Sequence, residues 1–287
     1  MPLSIELTGH CSSRSRVRLM RVAGHEARHD FEEWTLEIML AGDITETCTD
    51  ELNNIVTLLA GQSTASSIEA FACELTDVLL NRRTQIEAAE VSIAAHLWKR
   101  LTIAGKPDPT ALMKGSDERQ STRVRRSREG SIAITSGFEE MRVLKTAPSR
   151  PVGALEESAT LPGPADRLFS TVVAAEWPYS LQAAANGVDF NKTRHHLRER
   201  MIAAFARLDA MDGQQTFSAM AEAALQHTDL IDEVCLRLRN RHISVVGPGH
   251  GDRDLPNHVF VATDDPDEVL EATIKRVHAD MEQEPGS

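Results

Sequence analysis

Apolar and polar positions alternate over residues 16–22 (RVRLMRV) and again over 34–40, where Trp34, Leu36, Ile38 and Leu40 share one face. Period two marks a half-buried strand, and the turn-rich AGHEARHD between the two runs predicts a β-hairpin with a long loop. From Glu51 to Arg82 the apolar spacing becomes helical: Leu52, Ile55, Val56 and Leu59, then Ile68, Phe71, Leu75, Val78 and Leu79. Two consecutive helices broken near Gly61 follow from it. Alternation returns in AAEVSIAAHLWKRL. The segment GKPDP, Gly105 to Pro109, predicts a turn, and the pieces around Val124 and 132–134 predict another hairpin.

A proline-rich stretch from Ala147 to Pro164 with little periodicity reads as a connection, after which the order recurs. RLFSTVVAAEWPY is strand-like, Phe190 to Leu208 and Thr216 to Leu225 have helical spacing, IDEVCLRLRNRHISVV and NHVFVATDD read as strands, and Asp267 to Met281 reads as a closing helix. Within LRNRHISVV, a continuous strand would send Asn240 and His242 to the same face. Strand pair, helix pair, strand pair twice over predicts an α+β fold of two similar halves, 1–146 and 147–287, each an antiparallel sheet with helices on one face. A sheet covered on one side must wet or hide the other, and closing sheets into a barrel across subunits is one solution.

The 287 residues suffice for a sizeable core, and 41% hydrophobic with 26% charged residues is ordinary for a globular protein. A formal net charge of -12 argues against general binding of nucleic-acid backbones. No apolar run approaches the roughly 20 residues that span a bilayer, and the N-terminal sequence carries no signal-peptide pattern. Cys11, Cys48, Cys73 and Cys235 are scattered without a CxxC pair, which fits a reducing cytoplasm and indicates neither a zinc ribbon nor a disulfide framework.

Three local motifs invite chemistry. HEARH, from His25 to His29, satisfies the HExxH pattern, in which a helix places two imidazoles on one face around zinc with a glutamate as base. Here strand-like flanks place it in a hairpin loop. The basic run RQSTRVRRSRE, Arg119 to Glu129, reads as a solvated hairpin on an acidic protein rather than a nucleic-acid patch. GPGHG, Gly247 to Gly251, lacks a P-loop's lysine and following helix and reads as a turn. Neither a dinucleotide fingerprint nor a nucleophile elbow occurs.

LRNRHISVV taken with LPNHVFVATDDPDEVLEATIKR (Leu255 to Arg276) resembles the C-terminal signature of the cofactor-independent urate oxidase family, in which an Asn-Lys-His segment precedes a strand ending Val-Phe-Val-Ala. SRVRLMRV, TDELNNIVTLLA, HLWKRLTIAGKPDP, VLKT, DRLFSTVVAAEWPY and GQQTFSAMAEAAL resemble further family segments, in order, from about Ser15 to Arg276. The resemblance implies two tunnelling-fold halves per chain, a homotetrameric barrel and active sites where subunits meet.

It also implies roles. Arg167 and Gln214 match the pair that grips a flat purine by bidentate hydrogen bonds, which suits an anionic imide edge. Asn240 and His242 match the groups beside the dioxygen or water site, and Thr49 and Asp50 match residues contributed by the neighbouring subunit. The reaction implied needs neither metal nor cofactor: a deprotonated, electron-rich heterocycle reduces O2 directly, and the ring hydroperoxide is displaced by water with release of hydrogen peroxide. Two departures bear on catalysis. The lysine of the family's Lys-Thr proton relay is Arg14 here, and a guanidinium cannot act as a general base. The stacking phenylalanine falls near Pro151 and Val152. Two other readings follow from the same residues: a heterocycle-binding or structural protein of the same fold without oxidase activity, and a zinc hydrolase built on His25, Glu26 and His29.

Overall fold

The computed structural model describes residues 11–25, 28–43, 49–147, 167–180, 187–208, 213–226, 228–246, 259–263 and 267–276. The elements are β1 (Cys11–His25), β2 (Arg28–Gly42), α1 (Thr49–Gln62), α2 (Ile68–Arg82), β3 (Ile86–Ile103), β4 (Lys106–Ser127), β5 (Ile132–Ala147), β6 (Arg167–Pro178), α3 (Phe190–Arg207), α4 (Gly213–Leu225), β7 (Glu233–Asn240), β8 (Ile243–Val246), β9 (Val259–Ala262) and β10 (Glu268–Lys275). Two strands, two helices and two strands thus occur twice, β1β2α1α2β3β4 and then β5β6α3α4β7β10, with the β8β9 hairpin inserted in the second set.

The chain divides into two compact units, one of residues 1–142 and 172–195, the other of 143–171 and 196–287. In the first, β1 to β5 pair consecutively and antiparallel. α1 packs on β1, and α2 packs across β3 and β4. The alternation seen in the sequence sorts the two faces. Leu36, Ile38, Leu40, Val91, Ile93 and Val124 point to the helix side and are almost fully buried, as are Phe71, Leu75 and Leu79 of α2. Each such side chain contributes about 2 kcal/mol through removal from water.

Local chemistry sets the ends of these elements. Ser67 sits in extended conformation before α2 and accepts from the Ala70 amide at 3.1 Å, an N-cap. The β3–β4 hairpin turns at Ala104 and Gly105, with φ of 50° and 79°. Two left-handed central residues suit the twist of a two-residue hairpin, and glycine adopts that conformation without strain. The turn therefore precedes Lys106 to Pro109, which the sequence reading placed in it and which instead open β4.

The second unit holds residues 167–171 of β6 with β7 and β10, and a separate β8–β9 pair. α4 packs on β7 and β10, with Met220, Ala221 and Ala224 buried beside Val234, Leu236 and Leu238. The closing helix expected from Asp267 to Met281 is not formed over 268–275: EVLEATIK is strand β10, paired antiparallel with β7 from Glu268↔Asn240 to Lys275↔Glu233. Leu270 and Ile274 fit a helical period, but they also fit period two. The β-branched Val269, Thr273 and Ile274 and the available edge of β7 decide for the strand.

Candidate functional site

The end of β7 in the second unit gathers several of the residues singled out by sequence. Val234, Leu236, Leu238 and Asn240 lie on the buried face of β7, so the hydrophobic pattern of the strand ends in a carboxamide only 6% exposed. Asn240 Nδ2 donates to Glu268 Oε2 at 3.1 Å, across the first pair of the β7–β10 ladder. Oδ1 of Asn240 is buried and has no hydrogen-bond partner among the described residues. α4 begins against the same carboxamide: a Cβ on Gly213 would lie 2.3 Å from Asn240 Nδ2 and 3.0 Å from Leu270 Cδ1. Only glycine fits there, and the exposed Gln214 follows it at the helix start. The Arg241 amide donates to the Ser170 carbonyl at 3.1 Å, which brings the start of β6, opened by Arg167, to the same end of β7. The Arg167 side chain lies outside the described set.

His242 departs from the expectation of a shared strand face. The Arg241 amide goes to β6, whereas the His242 carbonyl accepts from the Thr263 amide at 3.1 Å, beside the β8–β9 pair. Consecutive residues serve different sheets, so the strand stops at Asn240 and resumes at Ile243. Asn240 is buried and His242 is exposed.

The other candidates belong to the first unit. Thr49 opens α1, its side chain outside the described set, and Asp50 is exposed in the first turn. Arg14 lies on the β1 face opposite the helices and donates through Nη2 to Glu37 Oε2 of β2. That face carries cross-strand rows such as Arg16, Glu37, Ser92, Arg123 and Thr135, set opposite one another by register. A cavity of about 940 Å3 lies over it, with His96 and Arg119 among its lining residues. Burial holds the His96 imidazole below its usual range, opposed by nearby Glu33.

Of the remaining motifs, the structure describes the basic run and the ends of HEARH. His25 ends β1 and Arg28 to Asp30 begin β2, paired across the hairpin, so the two histidines of HEARH do not share a helix face; Glu26 lies outside the described residues. Arg100 occupies this end, donating to Asp30 Oδ1 at 2.5 Å and to the Pro109 carbonyl at 2.7 Å. No cluster of three metal-ligating side chains occurs among the described residues. In the basic run, Arg119 pairs with Glu139, Arg126 with Asp77, and Arg128 donates to three backbone carbonyls. GPGHG, and Pro151 with Val152, lie outside the described residues. Glu268 and Gly213 were missed by sequence reasoning. Glu268 was hidden inside a helical reading, and only the glycine immediately before Gln214 offered a signal.

Comparison with known proteins places these elements. The uricase family model matches residues 134–273, the region from β5 to β10. A uricase of Aspergillus flavus is 29% identical over 264 residues, 85% of this chain and 87% of that protein. A uricase of Arthrobacter globiformis is 27% identical over 274 residues, 92% of this chain and 87% of that protein. The crystal structure of uricase from Arthrobacter globiformis superposes with a TM-score of 0.79 at 26% identity, covering 96% of this chain and 98% of the other. A uricase structure from Bacillus fastidious, at 18% identity and a TM-score of 0.69, shares the fold. With the twice-repeated strand, helix and strand order in tunnelling-fold arrangement, this chain resembles the uricases in sequence and fold over nearly its whole length.

Proposed function

We propose that the chain is a cofactor-independent oxidase that reacts urate, or a closely related planar electron-rich heterocycle, with O2 to give a hydroxylated product and hydrogen peroxide. The observation that carries this reading is the convergence of the β6 start, the α4 start and Asn240 at one end of β7, in a chain whose relatives are uricases. In this reading Arg167 and Gln214 clamp the anionic ring edge, since a guanidinium fork and a carboxamide match its acceptors and donors. The N-terminus of α4 adds its positive dipole end beside the anion. Asn240 and His242 stand beside O2 and the water that replaces peroxide, and Thr49 and Asp50 of a second copy complete the pocket. The ring passes an electron to O2, the radicals combine as a C–O bond, and water then displaces the hydroperoxide. The protein's part is to hold the ring, move protons and exclude competing water.

Assembly belongs to the same proposal. The helix-free face of the first unit is polar and concave, as the lumen of a barrel of four copies would require, and cytoplasmic residence fits the free Cys73 and Cys235. Among the described residues, no helix is long and apolar enough to cross a membrane.

Oxygen consumption with urate and a purine panel, with peroxide measured in parallel, tests the reaction. Gln214→Ala is expected to weaken anaerobic urate binding at least about tenfold, the loss of a charge-assisted hydrogen bond, with the oligomer intact. Unchanged affinity removes Gln214 from the site. One observation favours a second reading, a binding protein without turnover: Arg14, in place of the relay lysine, is engaged by Glu37. Tight urate binding without oxygen uptake decides for it.

A further inference from the structure

We propose that Glu268 is a positioning residue that fixes which end of the Asn240 carboxamide is offered to the reacting groups; the inference rests on the oxidase reading above. A carboxamide has two nearly isosteric ends, and its orientation is set by its partners. An ionised carboxylate only accepts, so Glu268 Oε2 at 3.1 Å selects Nδ2. The two residues stand directly opposite in the β7–β10 ladder, which holds their side chains on one face of the sheet. Gly213 closes the carboxamide from the helix side, with no room for a side chain.

The consequence lies at the other end. Asn240 is more than nine-tenths buried, and its Oδ1 is a buried acceptor without a partner among the described residues. An unmet buried acceptor is costly, so the orientation imposed by Glu268 creates a place for a hydrogen-bond donor. Dioxygen has no hydrogen to donate. The groups in the reaction that do are the O–H of the ring hydroperoxide and that of the displacing water. Glu268 thus tunes Asn240 toward the later half of the reaction, when peroxide leaves and water enters, rather than toward O2 capture.

The test compares Glu268→Ala, which removes the acceptor, with Glu268→Gln, whose Oε1 can accept the same bond. For Glu268→Ala we expect kcat with urate to fall about tenfold, the worth of one oriented hydrogen bond, while KM for urate and for O2 each change less than about twofold. Glu268→Gln should restore most of the loss. Wild-type behaviour in Glu268→Ala, an equal loss in Glu268→Gln, or a parallel rise in KM would each overturn the inference. Neutron diffraction from deuterated wild-type crystals reads the orientation without turnover. Deuterons on the Asn240 atom facing Glu268, with an O–D aimed at the other end, support the inference; the reverse orientation overturns it. Should wild type bind no urate and consume no oxygen, the oxidase reading fails on its own and the neutron result still decides the role of Glu268.

Discussion

Arg14 lies on the face of β1 away from the helices, with its guanidinium drawn to Glu37 on the next strand. A guanidinium keeps its proton at any physiological pH, whereas a lysine ammonium gives it up readily when desolvated. If proton transfer limits turnover here, Arg14→Lys should raise kcat with urate about a hundredfold, the low end of what a positioned general base supplies. Steady-state oxygen uptake reads this directly, and an unchanged rate would show that the proton passes by another route. Cys73 offers no alternative nucleophile, because burial pushes its thiol up to about 11. Asn240 illustrates how much one residue type leaves open: in sequence it is a polar break in an apolar alternation, and only Glu268 and Gly213 show which of its atoms is spoken for.

The helices are finished by cations delivered from distant strands. Arg128, just past β4, donates to the carbonyls of Leu80 at 2.6 Å and Arg83 at 2.7 Å at the end of α2, and to that of Ile86, which opens β3, at 2.8 Å. Lys145 of β5 reaches the Ala206 carbonyl at 3.2 Å at the end of α3, and Arg276 donates to the Leu225 and Thr228 carbonyls, each at 2.5 Å, at the end of α4. The last carbonyls of a helix lack internal partners and sit at its negative dipole end, so a cation there satisfies both needs. Arg128→Ala should lower stability by about 2 kcal/mol, the usual worth of hydrogen bonds to a charged group. Urea unfolding followed by circular dichroism would show it, and a midpoint matching wild type would mean that water replaces the guanidinium at no cost. The basic run that resembled a nucleic-acid patch is thus divided between helix capping and ion pairs. Alternation distributes Arg119 and Arg123 to one face of β4 and Val124 and Arg126 to the other.

Across the whole molecule, β1 forms one edge of the first unit's sheet and β10 one edge of the second's. Met20 and Val22 on β1, and Val269 on β10, are large apolar side chains left about half or more exposed. Long strand edges with exposed apolar side chains are prone to pair with another chain unless protected. For the proposed barrel of four copies, light scattering should give four times the mass of one chain. In the proposed site Thr49 and Asp50 complete a neighbour's pocket, so dilution that yields smaller species should abolish urate turnover. A fully active monomer would disprove the shared site.

Period-two and period-3.6 patterns were enough to place β2, β3, α1, α2, α3 and α4, because each element buries one face and its apolar spacing must match its own geometry. The resemblance to urate oxidases was also legible in collinear segments, and it is what singled out Arg167, Gln214 and Asn240 as candidates. The tertiary structure alone decided that EVLEATIK is a strand, since a short apolar pattern fits both periods until an edge is available to pair. It also decided that the strand breaks after Asn240, because the Arg241 amide bonds to β6 and the His242 carbonyl to Thr263, just past β9. Sequence sets which faces are apolar. Contacts between residues far apart in the chain, such as Asn240 with Glu268, arise only when the fold brings their backbones into register.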